Sequence, residues 1–213
     1  MASNSWRETN LYKSSRRSGS HFESLVVDVV KQYTQSVWRN IRIETLLTQT
    51  GNTELDIVFY NRGIVYVLEL KRVRRIIGEY SSRRWTMYGW SDHVDETSEY
   101  TAPNVIEQNN IHARSLMDLY FSEFRCFPRI LPVIIVPDDC IVPPGLQGDV
   151  FTVQELDEFL LHNHAPGNQS VAYRLAFLMN AAEGFAHRGD FVDREVQNVG
   201  NIKDFTVVRG RRR

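Results

Sequence analysis

Apolar positions change their period several times along the chain, and each change marks an element. In "SHFESLVVDVVKQYTQSV" the residues Phe22, Val26, Val29, Val30, Tyr33 and Val37 recur at helical spacing, and Ser20 with Glu23 forms the S-x-x-E pattern that opens a helix. "IRIETLLTQT" reads as a first strand. "ELDIVFYNRGIVYVLELKR", residues 54–72, reads as two nearly continuous apolar strands about Asn61-Arg62-Gly63. Residues 76–103, rich in Ser, Arg, Trp, Tyr and acids, read as a long loop. Val105, Ile106, Ala113, Leu116, Met117, Tyr120 and Phe124 then predict an amphipathic helix over 104–124. "RILPVIIVP" is a short apolar strand, Thr152 and Glu155 cap a helix reaching to about Leu161, and "SVAYRLAFLMNAAEGF" supplies a last helix. Strands this apolar sit inside a sheet covered on both faces, so the pattern predicts one α/β domain. Its limits are a polar arm over 1–19, a domain over 20–187 and a basic tail over 188–213 ending in "RGRRR".

Composition narrows the class without naming a function. With 42% hydrophobic and 24% charged residues, the chain is neither fibrous nor wholly disordered. No stretch approaches the roughly 18 apolar residues of a membrane span, and the start "MASNSWRETNLYKSSRR" has no apolar h-region. Cys126 and Cys140 lack paired spacing, which predicts reduced thiols in the cytoplasm rather than a zinc site. The formal net charge of -1 does not announce a nucleic-acid binder. Local charge is another matter: Lys71, Arg72, Arg74, Arg75, Arg83 and Arg84 crowd one segment, and Asp92, Asp95, Glu96 and Glu99 follow it.

The apolar hairpin carries charges at its open end. Glu69 and Lys71 share one face of their strand, as do Glu54 and Asp56 on the strand before. A two-residue turn at Arg62-Gly63 sets Asp56 opposite Glu69, whereas a three-residue turn shifts the register by one and separates them unless a bulge intervenes. Two carboxylates meeting at the end of central strands would repel unless a cation lay between them. Hard oxygen ligands suit Mg²⁺ or Mn²⁺, and an ammonium at Lys71 could orient an attacking water or stabilise charge developing on phosphorus. The competing reading is a strand end emerging into solvent with ordinary surface charges.

The segment "ELDIVFYNRGIVYVLELK" resembles the core of the PD-(D/E)xK nuclease superfamily, and more narrowly its nuclease-related domain family, NERD. The family's pattern of an acidic strand, G-hhhh-E-h-K, a tryptophan, and N-P-x-x-Q opening a helix with a later histidine is similar to Asp56, Gly63, Glu69, Lys71, Trp85, Asn104, Gln108 and His112. The likeness covers about residues 18–136. Glu54 stands in place of the family's glutamine, Val105 in place of its proline, Gly78 falls later, and "TMYGWSDHVDETSEY" is inserted.

The resemblance implies a restriction-endonuclease-like three-layer core, a mixed central sheet flanked by helices on both faces. It implies a Mg²⁺- or Mn²⁺-dependent endonuclease acting on DNA, in phage defence or DNA processing, and leaves RNA open as a substrate. Asp56 and Glu69, with the carbonyl of Leu70, would hold the metal. Lys71 would assist the attacking water and Gln108 would reach toward it. Glu23 has two readings, the family's upstream glutamate or the acid of a capping box. Arg72, Arg74, Arg75, Arg83 and Arg84 would hold flanking phosphates, and Trp85, Tyr88 and Trp90 would stack bases or pack the loop. His112 reads as a satisfied, partly buried histidine. Expected partners are DNA, a second copy of the chain and a separate helicase or targeting subunit, with no membrane. The rival function is a nucleic-acid-binding or interaction module that keeps the fold without cleaving.

Overall fold

The turn at the centre of the apolar hairpin has two residues. Asn61 pairs with Ile64, and the ladder runs through Tyr60–Val65, Phe59–Tyr66 and Val58–Val67 to Ile57–Leu68. Arg62 and Gly63 both take positive φ, 43° and 84°, the left-handed pair whose twist matches that of antiparallel strands. Gly63 is required twice over. A Cβ there would also overlap the carbonyl oxygens of Ala165 and Pro166, and the Ala165 N–H donates to the Arg62 carbonyl at 2.8 Å.

The computed structural model describes residues 21–90, 97–163 and 165–186. The polar arm, the basic tail, Ser20 and residues 91–96 lie outside the described residues, and so does the 20–23 capping box as a pair. In chain order the elements are helical residues 21–30 (α1), β1 Val37–Glu44, β2 Asn52–Asn61, β3 Ile64–Leu70, β4 Val73–Ile77, β5 Arg84–Trp90, β6 Thr97–Pro103, α2 Val105–Phe124, β7 Ile130–Val136, β8 Val150–Thr152, α3 Val153–His162 and α4 Gln169–Ala186. Five strands form a mixed sheet in the order β1-β2-β3-β7-β8, antiparallel from β1 to β3 and parallel between β7 and β8. β4, β5 and β6 form a second, antiparallel sheet.

The chain divides into two compact units. Among the described residues, one comprises Thr34–Leu68, Asn109–Pro132 and 165–186. Its core joins Ile41 and Ile43 of β1, Leu55 and Val58 of β2, Val65 and Val67 of β3, Leu116 and Tyr120 of α2, and Leu175 and Met179 of α4. Trp38 adds an indole N–H donated to Asn180 at 2.8 Å. The other unit comprises residues up to Tyr33, Glu69–Gln108 and Val133–Asn163. Its core gathers Val73, Ile76, Trp85, Met87, Val105, Ile134, Val136 and Val150. Here α3 opens on a full capping box: Glu155 N–H donates to Thr152 Oγ1, and Thr152 N–H to Glu155 Oε2 at 2.7 Å.

Several sequence expectations need correction. Residues 76–103, expected as a loop, carry among the described residues the end of β4 and all of β5 and β6 of a three-stranded sheet. Helix α1 gives way to a turn after residue 30, so Tyr33 lies outside it and its hydroxyl donates to Asp157 at 2.7 Å; Val37 opens β1 instead. The first strand begins earlier than "IRIETLLTQT", and Leu46 and Leu47 are exposed in the turn after it. The α/β class stands, and the mixed five-stranded sheet is consistent with a restriction-endonuclease-like core.

Candidate functional site

Strand β3 buries six consecutive residues from Ile64 to Glu69, and the last of these is charged. Glu69 is 3% exposed. An ionised carboxylate so deep costs several kcal/mol unless donors answer it. Two do. Lys71 Nζ donates to Glu69 Oε1 at 2.6 Å, and Gln108 Nε2 donates to the same oxygen at 3.1 Å. Alternation along the strand explains the first contact, because residues two apart share a face. The second comes from the first turn of α2, set by the Asn104 carbonyl accepting the Gln108 N–H at 3.0 Å.

Lys71 stands where the chain leaves the sheet. Its N–H donates to the Ile135 carbonyl at 2.9 Å, its own carbonyl accepts from Val73, and its side chain keeps 23% of its surface exposed. The ammonium therefore has one end against a buried acid and access to solvent. Leu70 is the last residue of β3. Tyr100 of β6 also senses this charge: partial burial raises its phenol above the usual tyrosine range, and the Lys71 ammonium pulls the other way.

Asp56 is a half-buried residue of β2. Asp56 immediately precedes Ile57, which pairs with Leu68 of β3. On its other side, between the pairs Arg39–Ile57 and Ile41–Leu55, Asn40 of β1 stands level with Asp56. Asn40 has φ of 52°, a left-handed conformation that asparagine tolerates better than most residues. Nothing in the hydropathy pattern marks it. Glu54, the neighbouring acid, is exposed and paired with Arg42 at 3.2 Å. Glu23 is half-buried on α1. His112 is buried in α2, as a packed histidine would be.

The five arginines are all exposed. Arg72 lies in the link between β3 and β4, Arg74 and Arg75 on β4, Arg83 just before β5 and Arg84 at its start. Arg74 and Arg75 can both face solvent because the β4–β5 register shifts between Val73 and Arg75, a bulge that breaks strict alternation. The aromatic residues divide. Trp85 is fully buried, donates its indole N–H to the Glu79 carbonyl at 3.0 Å and packs against Gly78, where a Cβ would overlap the ring. It cannot stack a base. Tyr88 is half-buried opposite Glu99, and their side-chain hydrogen bond raises its phenol above the usual range. The Trp90 side chain lies outside what is described.

A mixed α/β sheet with an E-x-K pair ending one strand, the acid buried and bound to a glutamine from the following helix, has the layout of a restriction-endonuclease-like nuclease core. The chain belongs to the nuclease-related domain family, NERD, whose model matches residues 18–137, more than half of its length. No curated protein and no solved structure matches the chain. Val105, at the first helical position of α2, is fully buried in the core.

Proposed function

We propose that the chain is a divalent-metal-dependent endonuclease that hydrolyses phosphodiester bonds of DNA. The observation that carries this reading is the buried Glu69 carboxylate at the end of β3, gripped by both Lys71 and Gln108. Membership of a nuclease-related family supports it. Asp56, Glu69 and the Leu70 carbonyl would hold Mg²⁺ or Mn²⁺. Among the described residues no three His, Cys, Asp or Glu side chains gather as a metal cluster. By donor type, two carboxylates and a carbonyl would be a sparse all-oxygen set of the kind that suits a hard ion shared with water and phosphate. When bound, the ion would neutralise phosphate charge and make water a better nucleophile. Lys71 orients the attacking water and balances charge as it develops on the phosphoryl oxygens, Gln108 fixes the Glu69 carboxylate, and the exposed arginines hold neighbouring phosphates.

The test is supercoiled plasmid incubated with Mg²⁺, Mn²⁺ or EDTA. Wild type nicks with either ion and not with EDTA. Asp56→Asn and Lys71→Ala lower the rate by about 100-fold or more while keeping the native circular dichroism spectrum. Asp56→Asn preserves shape and guards against Lys71→Ala failing to fold. A folded Lys71→Ala protein cutting at the wild-type rate overturns the assignment.

One observation favours a second reading. The Glu69–Lys71 pair at 2.6 Å compensates its own charges, as it would in a nucleic-acid-binding or interaction module that does not cleave. Salt-sensitive DNA binding in EDTA, with no turnover under any divalent ion, would select it.

A further inference from the structure

Asn104 is 1% exposed, and every polar atom of its side chain is engaged. Oδ1 accepts from the Ile106 N–H at 2.9 Å and the Glu107 N–H at 3.4 Å, capping α2. Nδ2 donates to the carbonyls of Tyr80 and Ser82, each at 2.9 Å. Its backbone N–H reaches the Arg83 carbonyl at 3.0 Å. The cap alone does not call for asparagine, since serine, threonine or aspartate serves a helix start equally well. Of these four only asparagine also supplies two donors to carbonyls, so the residue's identity is explained by the 80–83 segment, not by the helix.

Ser82 of that segment lines an open groove of about 740 Å³, together with Arg75, Arg84, Thr86, Ile141 and Pro144. Two guanidinium groups and two hydroxyls are donors for phosphate oxygens, Glu79 is the one acid in the lining, and the apolar wall suits a sugar or base. The groove is therefore complementary to a phosphodiester strand. Arg84 is itself oriented, with Nη2 donating to the Thr101 carbonyl at 3.1 Å.

We propose that Asn104 is a positioning residue for nucleic-acid binding: it ties the 80–83 segment to the start of α2, and so holds the adjoining Arg84 in a strand-binding groove. The inference rests on the nuclease reading for its ligand, and on hydrogen bonds alone for the anchor.

The experiment measures binding of a short fluorescent DNA duplex in EDTA across a salt series, for wild type, Asn104→Ser, Arg84→Ala and the double variant. Arg84→Ala should reduce the slope of log affinity against log salt by about one. Asn104→Ser, which keeps the cap but loses both donors, should produce a similar reduction, and the double variant should fall no further than Arg84→Ala, because one residue acts through the other. Hydrogen exchange of the Ser82 amide should accelerate in Asn104→Ser while the amides of Ile106 and Glu107 stay protected. Asn104→Thr, also cap-competent and without the amide donors, replaces Asn104→Ser if the latter does not fold. An unchanged slope in Asn104→Ser, additive losses in the double variant, or unaltered Ser82 exchange each overturn the inference. Wild type that binds DNA yet never cuts refutes the nuclease reading alone, whereas wild type that does not bind removes the groove's role.

Discussion

A carboxylate as deep as Glu69 is tolerable only with its donors in place, so each donor should be measurable by removal. A hydrogen bond to a buried charge contributes about 2 kcal/mol, and Gln108→Ala should lower unfolding free energy by that amount in urea titration. An unaltered midpoint would mean that Lys71 alone satisfies the acid. Cys140 offers a separate check. Burial, with Asp139 adding to it, pushes its thiol up to about 11, so little thiolate exists near pH 8. Native labelling by a thiol-specific disulfide reagent should therefore proceed at the same rate in wild type and Cys140→Ser. At this scale the meeting of Glu69 with Lys71 was legible, because strand alternation is a periodicity of sequence, and the approach of Gln108 was expected from the family resemblance. Asn104 was legible as a motif position but not in its role, since its partners are backbone carbonyls that any residue type can offer. Asn40 and Tyr100 left no mark, because register and through-space charge join residues far apart in the chain.

Among the elements, the hairpin turn is the most constrained. Gly63→Ala places a side chain in a left-handed conformation and against two carbonyls, and should destabilise by about 1–3 kcal/mol, read as a lower midpoint of thermal or urea unfolding. Helix α2 carries a titrating liability near its end. Burial raises the Glu123 carboxyl above its usual range, with Arg125 opposing, and among the described residues its Oε1 has no hydrogen-bond partner. A raised carboxyl makes the folded state hold its proton more tightly than the unfolded state. Stability consequently declines as pH rises from the unfolded carboxyl range through the higher folded one. Glu123→Gln should flatten that decline, seen by comparing unfolding midpoints at pH 4 and pH 7. In the sequence the hairpin's turn length is open between two and three residues until the register decides it, whereas the Thr152–Glu155 box, an unambiguous local cue, could be read from sequence. The β4–β6 sheet could not, because a bulge and exposed arginines erase the alternation that identifies a strand. The slipped first strand has a related cause: Leu46 and Leu47 are apolar but exposed, so they extended the apparent run past its end.

For the whole molecule, 25 basic and 26 acidic residues nearly cancel, leaving little long-range attraction for a polyanion. Association with DNA should then depend on the local arginine patch. If all five arginines contact phosphates, affinity should fall by about 500-fold between 50 and 200 mM salt. A fluorescence titration at several salt concentrations checks this, and a flat response would place the interface elsewhere. Fold class was legible from the alternation of apolar strands and amphipathic helices. The second sheet, and with it the scaffold that displays the patch, was not.

The irregularity in β4 has a further consequence for how that patch tolerates change. Because Arg74 and Arg75 are both exposed where the pleat is interrupted, excising Arg74 would not merely subtract one positive charge. It would close the register shift and leave Arg75 as the one arginine of β4. Deleting Arg74 should thus change the pairing of β4 with β5, which a point replacement of the same residue leaves in place.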